Sequence, residues 1–484
     1  MSIYTALEAV KKISDNLLVN RGTEKYDGIV NSYFSELERE LKPEAFLVPD
    51  SVPLVAAIVV ALKPFAKGLQ LAICGSGQQA TPSVANVQNG LTIHLRKLRG
   101  VQIDEERRIV SIAAGEQMGK VYEVVMRAGY GVVGNRHSSG GIGRDAVQGG
   151  NKIPVAIMCP NNYRWLVPLF WHSYARGFVC DDVVNYEIVL ASGDVVNANV
   201  HTNKDLWLAL KGGGNNFGIV TRFDFPVFEQ GQLWGGKLFY FLPSFSRQIR
   251  SLVDYLHEPN PDADVHICLS LGYAAALGDI LCMNDVFSTR PEKPKALEPF
   301  VDIEPQIGQM NTLHVDSLKS FTDEGFAGAP RNRVVKMSTT VKADTSILDY
   351  VVKTYSAAFE KLKGVENLLF SMTFEPLPVS MMKQSQTSWD NANDDSIVYE
   401  VNKTALEKID NEAQRNQSVF EGSQRQIRPG KLLSGSWYRT IQALSGSGMY
   451  QISVSEDEDR VAAPEINLTC VALPEAKSGR KEPL

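Results

Sequence analysis

Residues 181–225 read DDVVNYEIVLASGDVVNANVHTNKDLWLALKGGGNNFGIVTRFDF. β-Branched residues in loose alternation over 183–190 predict a strand. Ser192-Gly193-Asp194 predicts a tight turn, in which glycine supplies the positive φ that most residues avoid. Residues 195–200 then return antiparallel. A short helix is expected over 205–210, with Leu206, Trp207 and Leu210 turned inward. The loop Lys211-Gly212-Gly213-Gly214-Asn215-Asn216-Phe217-Gly218 follows. Its glycines cost roughly 1 kcal/mol each against alanine once ordered. Such a loop implies that backbone approaches something closely. Residues 219–225 leave it as another strand.

Upstream, Tyr4, Leu7, Val10, Ile13 and Leu17 share one face and predict a helix over 3–17. A second helix is expected over 51–67, with Pro53 at an early helical position. Residues 69–73 read as a strand, and Cys74-Gly75-Ser76-Gly77-Gln78-Gln79 as the loop after it. A glycine-rich turn after a strand offers clustered backbone N–H groups to an anion. Strands at 90–95 and 109–114 and a helix at 117–127 come next. His94 alternates with Leu95 and reads as structural rather than catalytic. Residues 129–134 spell G-x-G-x-x-G, but a helix precedes them, so the dinucleotide fingerprint is rejected.

Composition narrows the class. A chain of 484 residues exceeds one compact core, so two or three domains are expected. A net charge of −6 carries no basic footprint, which argues against nucleic acid. The longest apolar run, residues 52–62, has helix rather than membrane length, so no membrane partner is expected. The start lacks a basic-then-apolar layout, and a cytoplasmic location is expected. Cys74, Cys159, Cys180, Cys268, Cys282 and Cys470 show no metal spacing and read as reduced, buried thiols.

The string LKGGGNNFGIVTRFD, with NYEIVLASGDVVNAN before it, resembles the FAD-binding domain of flavin-linked oxidases. These are the vanillyl-alcohol-oxidase type, in their berberine-bridge-enzyme-like branch. The resemblance covers about residues 33–225 with gaps and reaches weakly to 393. It implies an α+β fold: a two-subdomain PCMH-type FAD-binding domain plus an antiparallel α+β substrate domain. The expected divisions are an N-terminal helix in 1–30, the FAD domain over 31–228, a substrate domain over 229–420 and a divergent segment over 421–484. Many relatives are secreted.

The resemblance makes Gly75, Ser76, Gly77 and Gln78 the pyrophosphate loop. The family pattern there is arginine-serine-glycine-glycine-histidine, with the histidine bonded to the flavin. Cys74 stands for the arginine and Gln78 for the histidine, and glutamine cannot form that bond. Residues 134–150 form the second flavin loop, which brings in His137, Gly141, Gly143, Gly149 and Gly150. His137 occupies the position of a cysteine that bonds the ring in bicovalent relatives; a solvated or hydrogen-bonded histidine is the plainer alternative. Arg144, Asp145 and Gln148 put polar groups where the family has glycine and apolar residues. Gly218, Ile219 and Val220, at the later loop exit, are further cofactor candidates.

Residues 151–171 have no counterpart in the family. Their abrupt edges fit an intron translated in frame, and their place beside a flavin loop fits a lid. After 225, strands are expected at 234–241, 266–271, 279–286 and 334–340, with helices at 244–258, 345–363 and 396–414. Residues 370–378 resemble the substrate-domain strand that faces the flavin. The strand that should follow is missing. Residues 434–440 and 449–454 have the make-up of short strands, and the last fifteen residues are expected to lack fixed structure.

The implied chemistry is hydride removal from a small metabolite, with noncovalent FAD as cofactor and molecular oxygen open as a partner. Glu375 and Tyr399 are the candidate bases. A solvated strand charge is the plain alternative for Glu375. A protein on this scaffold that no longer turns over, and a redox-neutral cyclase, are the competing readings.

Overall fold

Strand Ile219–Pro226 lies at the centre of an antiparallel five-stranded sheet. Asn185–Val189 and then Val195–Asn199 extend one side; Ile109–Ala113 and Val101–Asp104 extend the other. Gly193 makes the hairpin turn at φ +93°. This is a computed structural model, and it describes residues 3–78, 82–147, 157–158, 165–166, 176–274, 278–324, 335–360, 369–377, 442–443, 450–451 and 465–473.

A four-stranded sheet precedes it, in the order Leu18–Asn20, Ala45–Leu47, Leu91–His94, Leu71–Cys74. The two sheets and helices Val52–Leu62 and Met118–Arg127 share one apolar core. The N-terminal helix is shorter than the apolar face suggests. It ends at Lys11, and Ser14 caps a separate turn, Asp15–Leu17, by accepting from Asn16 N at 3.3 Å.

The helix expected over 205–210 runs as Lys204–Gly213, broken at Lys211 and Gly212. The glycines of this loop do let backbone approach closely, and what they approach is the chain itself. A Cβ on Gly218 would lie 2.3 Å from the Val189 carbonyl oxygen, and one on Gly213 2.5 Å from the Phe217 ring. Gly214 N donates to Val147 O at 2.7 Å. Lys211, almost fully buried, donates to Asp181 O at 2.7 Å and sits over the Trp207 ring.

The second unit is a seven-stranded antiparallel sheet. Its order is His314–Asp316, Leu233–Phe241, Asp279–Ser288, Val265–Ala274, Leu369–Leu377, Glu465–Leu473, Val335–Lys342. Glu465–Leu473 corrects two expectations. It fills the place beside Leu369–Leu377 where a strand was expected to be missing, and it puts residues 470–473 in a sheet. Residues 465–473 therefore belong to the seven-stranded sheet. The period-two pattern of Ile466, Leu468 and Cys470 against Asn467 and Thr469 is the signal that marks it. Polar sequence on both sides obscures that pattern.

Alternation divides this sheet by face. Leu238, Ile267, Leu269, Leu271, Val286 and Phe374 pack into a core with helices Phe245–Leu256 and Thr345–Glu360. Lys237, His266, Cys268, Asp285, Thr373 and Glu375 occupy the other face. Within the insert, Ile157–Met158 pairs with Trp165–Leu166, and its backbone runs beside strands Val265–Ala274 and Leu369–Leu377. The helix expected at 396–414 and the strand at 434–440 lie outside the described residues. Among the described residues no helix is long and apolar enough to cross a membrane. Cys74, Cys180, Cys268 and Cys282 are buried thiols, as expected.

Candidate flavin and substrate site

The first glycine loop follows strand Leu71–Cys74 and bends at Gly77, φ +76°. Ser76 turns its Oγ to accept from Gly141 N at 2.9 Å, which ties the two predicted flavin loops together. A Cβ on Gly141 would come within 3.0 Å of the Ser76 Cβ and Oγ. Phe34 N donates to Gly77 O at 3.0 Å, and Arg96 Nη2 donates to Ser76 O. Ala114 links the loop to the central strand: its carbonyl oxygen lies 3.3 Å from a Cβ built on Gly75, and its N donates to Thr221 O at 2.9 Å.

The second loop is pinned to helix Met118–Arg127. Met118 N donates to Gly140 O at 2.8 Å, Gly119 N to Ser138 O at 2.7 Å, and Tyr122 Oη to Asn135 O at 2.6 Å. Arg136 Nε donates to His137 Nε2 at 3.0 Å. An imidazole accepting at Nε2 carries its proton on Nδ1. Neither ring nitrogen then offers a free lone pair for a bond to the flavin. The loop ends in the helical turn Gly143–Val147, where Arg144 is exposed and Asp145 buried.

This loop also meets the substrate unit. Ser138 N donates to Thr322 O at 3.4 Å. Arg136 is buried, which pulls its guanidinium down to about 10 while the Glu375 charge opposes the shift. Glu375 is 3% exposed, so it is not a solvated strand charge. Lys237 Nζ lies 3.4 Å from Asp285 Oδ1. Burial raises Asp285 to about 6 against the pull of Lys237 and Arg136. Its Oδ2 has no hydrogen-bond partner among the described residues. Cys268 Sγ lies 3.4 Å from His266 Nε2; burial holds that imidazole near 4, hence neutral, and pushes the thiol up. A mixed-charge, dry surface thus faces the second loop.

A model described as an FAD binding domain matches residues 43–149. The FAD-dependent monooxygenase of Cochliobolus heterostrophus is 28% identical over 379 residues, 75% of this chain and 68% of its own length. A Fusarium proliferatum FAD-dependent monooxygenase is 28% identical over 72% of this chain and 66% of its own length. The chain thus spans about two thirds of these relatives. Among solved structures, Physcomitrella patens BBE-like 1 superposes with a TM-score of 0.59, at 18% identity, over 76% of this chain and 77% of its own. Residues 43–149 thus form an FAD binding domain, and the chain shares the fold of the berberine-bridge-enzyme-like structure.

The FAD binding domain makes FAD the cofactor, and the residues present fit the group. Two buried polar atoms beside the loops, Ser139 Oγ and Arg96 Nε, have no partner among the described residues. Gly75, Ser76, Gly77, Gln78, His137, Gly141 and Gly143 are brought together by the Ser76–Gly141 contact and the loop on either side of it. Gly218, Ile219 and Val220 sit in and beside the central strand, packed on Ile188 and Val189; the strand meets the first loop through Thr221, whose carbonyl accepts from Ala114 N. Gly149, Gly150 and Tyr399 lie outside the described residues. Of the two candidate bases the structure therefore places Glu375 alone. His94 is buried edge-on to Phe46, its imidazole held near 3 by burial and by Arg96 and Arg99, which bears out its structural reading. Sequence reasoning missed Arg96, Arg136, Lys237 and Asp285. A charge inside an otherwise apolar or alternating strand, as in Cys282-Met283-Asn284-Asp285-Val286, was the available signal for Asp285.

Proposed function

We propose that this FAD-linked oxidoreductase oxidises a small organic hydroxyl or amine compound, with its flavin held noncovalently. The observation that carries the reading is the buried Glu375 carboxylate, set beside Arg136 of the second loop on the polar face of the substrate sheet. Glu375 takes the proton from the substrate oxygen or nitrogen, and Arg136 stabilises the carboxylate's charge beforehand. When bound, FAD supplies the acceptor for the hydride leaving the substrate carbon. The first loop holds the diphosphate with its backbone N–H groups. Noncovalent retention is supported by Gln78, which cannot bond the flavin, and by the Arg136–His137 hydrogen bond. The curated relatives are named monooxygenases, which supports molecular oxygen as a co-substrate.

The test is a visible spectrum of purified protein before and after acid precipitation. Flavin bands that move to the supernatant are expected. Colour that stays in the pellet means a covalent link, and His137 becomes its donor. A colourless protein that takes up no added FAD sinks the enzyme and leaves a binding scaffold. With a substrate that bleaches the flavin, Glu375→Gln should slow bleaching about 10²–10⁴-fold with FAD retention unchanged.

A further inference from the structure

The geometry points to Arg96 as the counter-charge for the FAD diphosphate, a role that rests on the FAD reading above. The first glycine loop has no charge of its own: Cys74 is fully buried, its thiol pushed up to about 11 by burial, and Gly75, Ser76, Gly77 and Gln78 are neutral. A diphosphate diester brings two negative charges to whatever holds it, and backbone N–H groups alone answer them only in part. Arg96 comes from the turn Leu95–Lys97 after strand Leu91–His94, next to Leu71–Cys74 in the sheet. Its Nη2 donates to the Ser76 carbonyl and would lie 3.0 Å from a Cβ on Gly77. That Cβ would lie 3.7 Å from Cys74 Sγ, so guanidinium and thiol flank the same glycine.

The guanidinium is poorly occupied. Of its five N–H donors, Nη2 alone has a named acceptor, Nε is buried without one, and no carboxylate ion-pairs with it among the described residues. The neighbouring Arg99 differs: it is paired with Glu116 at 2.7 Å. A cation held against a phosphate-type loop, without a counter-ion, is an incomplete ion pair. The buried Ser139 Oγ, two residues from Gly141 on the facing loop, is a second unmatched group at the same place.

The experiment uses the full chain stripped of flavin and titrated with FAD and, separately, with riboflavin, which has the ring but no phosphate. Arg96→Met should weaken FAD about ten- to hundredfold, the range of a charge-assisted hydrogen bond. It should leave riboflavin unchanged, and Arg96→Lys should fall between. Equal FAD affinity in wild type and Arg96→Met overturns the assignment. So does a parallel loss for FAD and riboflavin, since that is the mark of a loop merely disturbed. Should Arg96→Met not fold, the Lys variant carries the same test: unchanged FAD binding in it, together with wild-type affinity that is insensitive to added salt, overturns the assignment. Wild-type protein that binds riboflavin but gains nothing from the phosphates overturns it while the flavin reading stands. Failure to bind either ligand overturns both.

Discussion

Replacing Lys237 by methionine tests whether charge holds the polar face of the substrate sheet together. Lys237 Nζ lies 3.4 Å from Asp285 Oδ1, with side chains 12% and 0% exposed. Methionine keeps much of the apolar stem and removes the ammonium. Asp285 titrates at about 6 rather than 3.8, because burial raises it more than Lys237 and Arg136 lower it. Without Lys237 its pKa climbs further. The unfolded chain releases this proton near 3.8 in both proteins. A raised folded pKa means stability that is full below the unfolded value and is lost as pH rises through the folded one. In the wild type this loss ends near pH 6. In Lys237→Met it continues, at about 1.4 kcal/mol per pH unit, to the new pKa. Between pH 6 and 8 the stability gap therefore widens by up to about 2.7 kcal/mol, and the remaining Arg136 cation sets how far short of that limit it stops. Urea denaturation followed by tryptophan fluorescence at pH 5.5, 6.5, 7.5 and 8.0 measures the gap. A gap of constant size across that range would refute the reasoning.

Glu38 offers the same test in the FAD domain. Burial raises it from 4.5 to about 7, although Ala85 N and Val84 N donate to its Oε1 at 2.9 and 3.3 Å. Wild-type stability should fall by about 3 kcal/mol as pH rises from 4.5 through 7, and Glu38→Gln should lack that slope; coincident thermal melts at pH 5 and 8 in the wild type would contradict this. Gly218→Ala meets both a φ of +148° and the Val189 carbonyl oxygen at 2.3 Å, so it should cost about 2 kcal/mol or more and lower the denaturation midpoint. A midpoint equal to wild type would show that the strand start shifts freely.

Much of the FAD domain was legible because its signals are local. Gly193 and Gly218 mark a turn and a strand entry through backbone freedom, and the alternation over 183–190 and 219–225 gives paired strands without reference to distant residues. The glycines of the first loop and the glutamine at 78, in place of the resembled family's histidine, were likewise visible in the sequence. The glycine-rich loop over 211–218 shows the limit of such reading: close approach was inferred correctly, but the partner proved to be Val189, Phe217 and the second-loop helix.

The seven-stranded sheet shows why the rest was hidden. From the sequence Glu375 stayed open between a candidate base and a solvated strand charge, since alternation cannot say which face of a sheet meets water. Pairing across Leu269–Phe374 and Cys268–Asp285, together with the second loop above, buries it beside Arg136. Glu465–Leu473 joins Leu369–Leu377 across a gap of nearly a hundred residues, and nothing local specifies that partner. The sequence by itself pointed to the cofactor domain, its glycine-rich loop and a glutamine, Gln78, where the resembled family has a flavin-bonding histidine. The tertiary structure alone decided which charges share one dry surface, because burial and non-local strand pairing are set by packing and not by neighbours along the chain.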